Sequence, residues 1–105
     1  ILGFTFKENC PDFRNTQIIN LVLNLKKYGF AIEVYDPWIK PNRTFKMINF
    51  VDKPKKGFYS AIILAVPHDE FKKMGAEDIR KFGRNNHIFF DLKSIYKLNE
   101  SDLRL

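Results

Sequence analysis

Ala61-Ile62-Ile63-Leu64-Ala65-Val66-Pro67 is an uninterrupted apolar run closed by a proline. A run of that length, apolar on both faces, suits a central strand of a parallel sheet. Downstream, residues 68–82 read as helix in two pieces divided at Gly75, with Gly83 as a stop. His87-Ile88-Phe89-Phe90-Asp91 is the last clear strand, and a loop and a polar tail follow it. Upstream, residues 1–6 read as a strand, 7–15 as a loop broken by Pro11, and 16–28 as a helix. In that helix Ile18, Leu21, Val22 and Leu25 recur at helical spacing, Asn15 or Thr16 suits the N-cap, and Gly29 offers a left-handed C-cap. Residues 31–35 form a further short strand ended by Asp36-Pro37-Trp38. Phe45, Met47, Ile48, Phe50 and Val51 fit either an edge strand or a helical turn. Strands alternating with helices predict an α/β fold: a single-domain three-layer αβα sandwich with a mostly parallel, Rossmann-like sheet.

The composition suits one such domain. The chain has 105 residues, enough for a single hydrophobic core. Its apolar fraction is 45%, with 11 Phe, so that core can be filled, and only 5 Gly and 5 Pro interrupt it. The single cysteine, Cys10, excludes an internal disulfide and points to a reducing cytoplasmic setting. No apolar run approaches the roughly 20 residues that span a bilayer, and no signal-peptide pattern opens the chain. The first residues read as a strand already under way, without an initiator methionine, which predicts a piece excised from a longer protein.

The net charge of +6 favours anionic partners in general, among them phosphates, nucleotides and nucleic acid. In open parallel sheets ligands bind beyond the carboxyl ends of the strands. The loops expected there are residues 7–15, 36–38, 67–71 and 91–95. Lys7, Arg14 and Lys93 fall within them, where three cations beside a helix N-terminus suit a phosphate or an array of sugar hydroxyls. The alternative is that Lys7 and Lys93 are merely exposed and that Arg14 pairs locally with Asp12. Catalytic groups are not evident. Cys10 has no histidine in its own loop to activate it. His68, followed by Asp69 and Glu70, suits a helix start, and His87 reads as a boundary residue. Two His and one Cys at no ligand-like spacing make no metal site. No G-x-G-x-x-G or P-loop occurs, and the acidic residues of a response-regulator receiver are missing from the strand ends.

The run Gly3-Phe4-Thr5-Phe6-Lys7-Glu8-Asn9-Cys10-Pro11-Asp12-Phe13-Arg14-Asn15 resembles the opening of the C-terminal domain of the UDP-glucose/GDP-mannose dehydrogenase family. Val34-Tyr35-Asp36-Pro37-Trp38, the run from Ala61 through Pro67-His68-Asp69-Glu70-Phe71, and Asp91-Leu92-Lys93 continue the resemblance in family order. Within the family the E-N-C-P-D variant is most similar to the UDP-N-acetylhexosamine 6-dehydrogenase branch of bacterial surface-polysaccharide synthesis. The resemblance implies an NAD-dependent enzyme that oxidises the C6 alcohol of a UDP-sugar, UDP-N-acetylglucosamine or a relative, to a carboxylate. It implies an N-terminal NAD-binding domain, a middle region carrying the nucleophilic cysteine, and a homo-oligomeric parent protein. Cys10 does not match that nucleophile, so the domain alone is expected to be non-catalytic.

Carried over residue by residue, Phe6 and Lys7 match the family's substrate-contacting pair. Lys93 stands where the family commonly has an arginine that reaches the sugar nucleotide, and lysine lacks the planar fork. Arg14 resembles the arginine on the NAD side of the cleft, while Asp12, Asp36 and Pro37 are expected to shape loops. The competing expectation is a basic nucleic-acid-binding module, with Phe45, Phe50, Phe58 and Tyr59 among lysines as a stacking platform. It lacks any recognition motif.

Overall fold

The apolar run at the centre of the sequence does form a strand. In the computed structural model, which describes residues 1–14, 16–40 and 46–105, β1 spans Tyr59–Leu64 and β2 spans Gly83–Asp91. They pair in parallel, with Ile62 opposite Phe89 and Leu64 opposite Asp91. Between them α2, Asp69–Arg80, makes the crossover. It is kinked at Gly75, which takes φ 77°, so the division expected there is present. Asp69 and Glu70 lie in its first turn and Arg80 in its last, the arrangement the helix dipole favours.

Side chains alternate across β1, and the two faces meet different helices. Ile62 and Leu64 join Phe71, Ala76 and Ile79 of α2 and Phe89 of β2 in one buried cluster. Ala61 and Ile63 on the other face line a cavity with Leu25 of α1, which spans Ile18–Lys27. A second cluster forms there around Phe4, Val22, Val34 and Ile48, with Ile18, Ile19 and Phe50 packed against it. The sheet therefore lies between two helical layers. Helix α1 stops at Gly29, whose φ of 91° is easy only for glycine.

The outer strands are shorter than their sequence suggests. The first expected strand makes parallel bridges only at Leu2, to Tyr35 on one side and Leu64 on the other. Beyond it Gly3 turns to φ 93°, and the amides of Phe4 and Thr5 donate to the Asp36 carboxylate instead of to a neighbouring strand. The segment expected at 31–35 bridges only at Val34 and Tyr35. Val34 also bridges Phe50 in parallel, so an edge strand, not a helical turn, begins the sheet; Phe45 lies outside the described residues. At the other edge a short β3, Leu103–Arg104, pairs in parallel with β2. Only a polar tail is expected here, but the Asp102 carboxylate accepts from Phe89 N and Arg80 and fastens it to the sheet.

From one edge to the other the order is Phe50, Val34–Tyr35, Leu2, β1, β2, β3. Numbered along the chain, this is the 3-2-1-4-5-6 order of a doubly wound sheet. Its direction reverses between the Leu2 segment and β1. A crevice is expected beyond that junction.

Candidate functional site

A cleft of about 410 Å³ opens there. Its walls are residues 5–8 after the first segment, Thr16, Gln17 and Ile18 at the start of α1, residues 65–67 after β1, and Leu92 and Lys93 after β2. Phe6, Lys7 and Lys93, expected at separate strand ends, thus share one lining. Phe6 is 58% exposed, which no core role explains. Among the described residues neither Lys7 nor Lys93 has an ion-pair partner, and Glu8 is the one acidic side chain on the wall. The cleft can offer an anion two free ammonium groups and the positive end of a helix.

Arg14 is placed differently. Its guanidinium donates through Nε and Nη2 to the two carboxylate oxygens of Asp12, each at 3.1 Å. The pair is exposed and is not part of the cleft wall. The hydrogen bonds from Arg14 hold the Asp12 carboxyl below its usual range. Of the three cations that loop position groups together, two meet and the third is engaged by its neighbour. The helix start also differs from expectation. Gln17 occupies the N-cap without a capping bond from its side chain, which accepts from Asn20 Nδ2 instead, while Thr16 Oγ1 accepts from Ile18 N and donates to Phe4 O at 2.7 Å. Asn15 lies outside the described residues.

Behind the cleft lies a polar cluster that sequence reasoning did not assemble. His68 is fully buried and does not cap α2 through its side chain. Its Nε2 lies 2.9 Å from Asp36 Oδ2 and 3.1 Å from Thr5 Oγ1, and its Nδ1 is 2.9 Å from Asn9 N. Asn9 supplies the cap instead, its Oδ1 accepting from Asp69 N. Asp36 also accepts from Phe4 N, Thr5 N and Trp38 N. Burial opposes its ionisation most strongly, but the bonds from His68, Phe4 and Trp38 together outweigh that and leave its pKa below the ordinary value. The Trp38 ring stacks on His68 at 5.8 Å and donates through Nε1 to Glu70. Asp36 shapes loops, as expected; the signal for His68 was its place just past the proline that ends β1.

Other concavities fit a ligand less well. Those beside Ile1, Glu33 and Tyr59 contain no cation. A groove on the flank of α1 carries Lys26 and Lys27, but Lys26 Nζ is bonded to Met47 O and no strand end opens there. Among the described residues the aromatic platform does not form, and Phe45 lies outside them. Phe50 packs edge-on against Phe4 at 5.1 Å, Tyr59 is half-buried and donates to Glu33, and Lys55 covers the Phe58 ring. Among the described residues no cluster of His, Cys, Asp or Glu is placed to hold a metal ion. No helix among them is long and apolar enough to cross a membrane.

Comparison with known proteins adds an independent line. Residues 1–98 match the family model described as "UDP-glucose/GDP-mannose dehydrogenase family, UDP binding domain". A UDP-N-acetyl-D-glucosamine 6-dehydrogenase of Salmonella typhi is 49% identical over 100% of this chain and 25% of its own length. One from Pseudomonas aeruginosa is 47% identical with the same coverage. Protein CapL of Staphylococcus aureus is 33% identical over 95% of the chain and 24% of its own length. The chain therefore spans about a quarter of the curated relatives it matches. No solved structure matches significantly.

Proposed function

The chain belongs to the UDP-glucose/GDP-mannose dehydrogenase family, as its UDP-binding domain, and from that premise we propose that the cleft beyond the sheet's reversal holds the nucleotide of a UDP-sugar. The observation that supports this most is the meeting of Lys7, Lys93 and Phe6 with the start of α1 in one opening at the switch point. Lys7 and Lys93 neutralise the diphosphate, the helix start adds backbone dipoles, and Phe6 offers an apolar face to base or sugar. The close relatives indicate UDP-N-acetylglucosamine or a similar sugar as substrate.

The parent protein in this proposal is a cytoplasmic, homo-oligomeric, NAD-dependent 6-dehydrogenase, and other regions of it carry out the oxidation. This chain's own residues do not fit NAD as the main binding site. No glycine lines the cleft to bring backbone against a pyrophosphate, and Arg14, the proposed contact on the NAD side, is held by Asp12. Cys10 is a half-buried free thiol and is given no catalytic part. The domain's role is to hold and orient the nucleotide end of the substrate.

Titration with UDP-N-acetylglucosamine while following backbone amides by NMR tests the assignment. Shifts are expected at residues 5–8, 16–18 and 92–93; shifts confined to residues 46–57 would refute it. Lys7→Ala should weaken binding about tenfold or more, the scale of one charge-assisted hydrogen bond. Lys93→Arg should keep or strengthen it, because the guanidinium retains the charge and adds a fork.

A further inference from the structure

We propose that His68 is a positioning residue for this cleft: its neutral ring, bearing its proton on Nε2 and anchored to Asp36, holds the Asn9 amide through Nδ1 and so sets the loop that presents Phe6 and Lys7. The functional part of this inference rests on the reading of the cleft as the nucleotide-sugar site.

Donor and acceptor accounting assigns the tautomer. The backbone N–H of Asn9 can only donate, so Nδ1 at 2.9 Å is the acceptor. Asp36 Oδ2, already accepting from two backbone amides, faces Nε2 at 2.9 Å, so that nitrogen is the donor. The Thr5 hydroxyl donates to Lys7 O at 2.9 Å, which leaves its oxygen to share the Nε2 proton. Every partner is matched, and His68, Thr5 and Asp36 are 0%, 1% and 3% exposed, so water does not substitute for any of them.

The consequence falls on residues 5–9. Lys7 is held from its N-terminal side by the Thr5 hydroxyl and from its C-terminal side by Asn9. Asn9 takes the left-handed φ of 56° and is bonded at both its amide and its side chain, to His68 and to the first amide of α2. The loop is thus tied to the ends of two parallel segments and to a helix start at once. A phenylalanine would fill the space between Trp38 and Phe71, the rings that contact His68. It would also leave the Asn9 amide without an acceptor and remove one of the donors to Asp36 Oδ2. Two nitrogens of opposite character are what the position uses.

Two substitutions separate the halves of the ring in the full-length protein that contains this domain. In His68→Asn the amide oxygen can occupy the place of Nδ1 and keep the Asn9 bond; in His68→Gln the amide nitrogen can occupy the place of Nε2 and keep the Asp36 bond. Both lose the ring stacking, so their difference sets the Asn9 contact against the Asp36 contact. Hydrogen exchange of residues 5–9 and calorimetric affinity for UDP-N-acetylglucosamine are measured for each, with 15N spectra of the wild-type imidazole. The expectation is a ring protonated on Nε2, faster exchange in His68→Gln than in His68→Asn, and affinity about tenfold weaker in His68→Gln, one hydrogen bond's worth. Equal losses in both variants, or a proton on Nδ1, would overturn the proposal. If the wild type failed to bind the nucleotide sugar, the site reading would fall, and the exchange and 15N data would still decide the positioning role.

Discussion

Replacing Gly3 by alanine probes a close approach in the sheet, at the point where its strand order reverses. Gly3 lies at φ 93°. A Cβ added there would sit 2.6 Å from Val66 Cβ and 2.7 Å from Val66 N and O. Two of those three atoms are backbone, so no rotamer change relieves the clash. The chain cannot slide away easily either: Leu2 N donates to Ile63 O, Gly3 N to Tyr35 O, and Ala65 N to Leu2 O, pinning the segment on both sides. Holding a non-glycine residue in that region costs about 1–3 kcal/mol, and overpacking adds about 1–3 kcal/mol. Restricting the unfolded chain offsets roughly 0.4–1 kcal/mol of this. The net loss is about 1–5.5 kcal/mol, taking the strain and overpacking together. Gly29→Ala is the matched control, because Gly29 has φ 91° with nothing within 4 Å of an added Cβ. It should lose only the strain, about 0–2.5 kcal/mol net. Urea unfolding followed by circular dichroism, with unchanged m-values, gives both numbers. If Gly3→Ala cost no more than Gly29→Ala, the tight approach to Val66 would be refuted.

Further outcomes follow from the same contacts. Asp36→Asn should cost about 2–4 kcal/mol, since an amide presents one acceptor where the carboxylate serves four donors, and buried N–H groups are left over. Asp36 has a lowered folded pKa, so its stabilising effect is present above the unfolded value of about 3.9 and is lost as pH falls through the folded one. The urea midpoint of the wild type should therefore fall more steeply below about pH 4 than that of the Asn variant, and parallel curves would contradict this. Phe71→Ala, removing a fully buried ring that meets Tyr35 edge-on at 6.0 Å, should cost about 3–5 kcal/mol by the same unfolding assay. Arg14→Ala should leave stability almost unchanged, as for other exposed ion pairs, and should leave UDP-sugar affinity unchanged. A tenfold loss of affinity would show that Arg14 leaves Asp12 to join the cleft.

Much of the scaffold was legible because its signals are local. Apolar spacing marked α1, a continuous apolar run marked β1, and glycines marked the kink in α2 and the end of α1. Lys7 and Lys93 could be placed at one opening because strand ends in a parallel sheet share an edge. The outer segments were less legible. Residues 1–6 have the composition of a strand, but the Asp36 carboxylate takes the amides of Phe4 and Thr5, a competition invisible in the segment itself. The tail reads as polar, and the pairing of β3 with β2, together with the bonds from Phe89 N and Arg80 to Asp102, makes it part of the sheet.

The sequence by itself determined the central order of helices and strands, the parallel sheet and the family, since these follow from periodicity, turn residues and ordered motifs. Tertiary structure alone decided that the outer strands shrink to single bridges. It also decided that His68 is a buried link between three loops. The reason is physical: those outcomes depend on which donor meets which acceptor across 31 to 63 residues of chain, as in the bonds from Thr5 to Asp36 and to His68. No local pattern encodes such meetings.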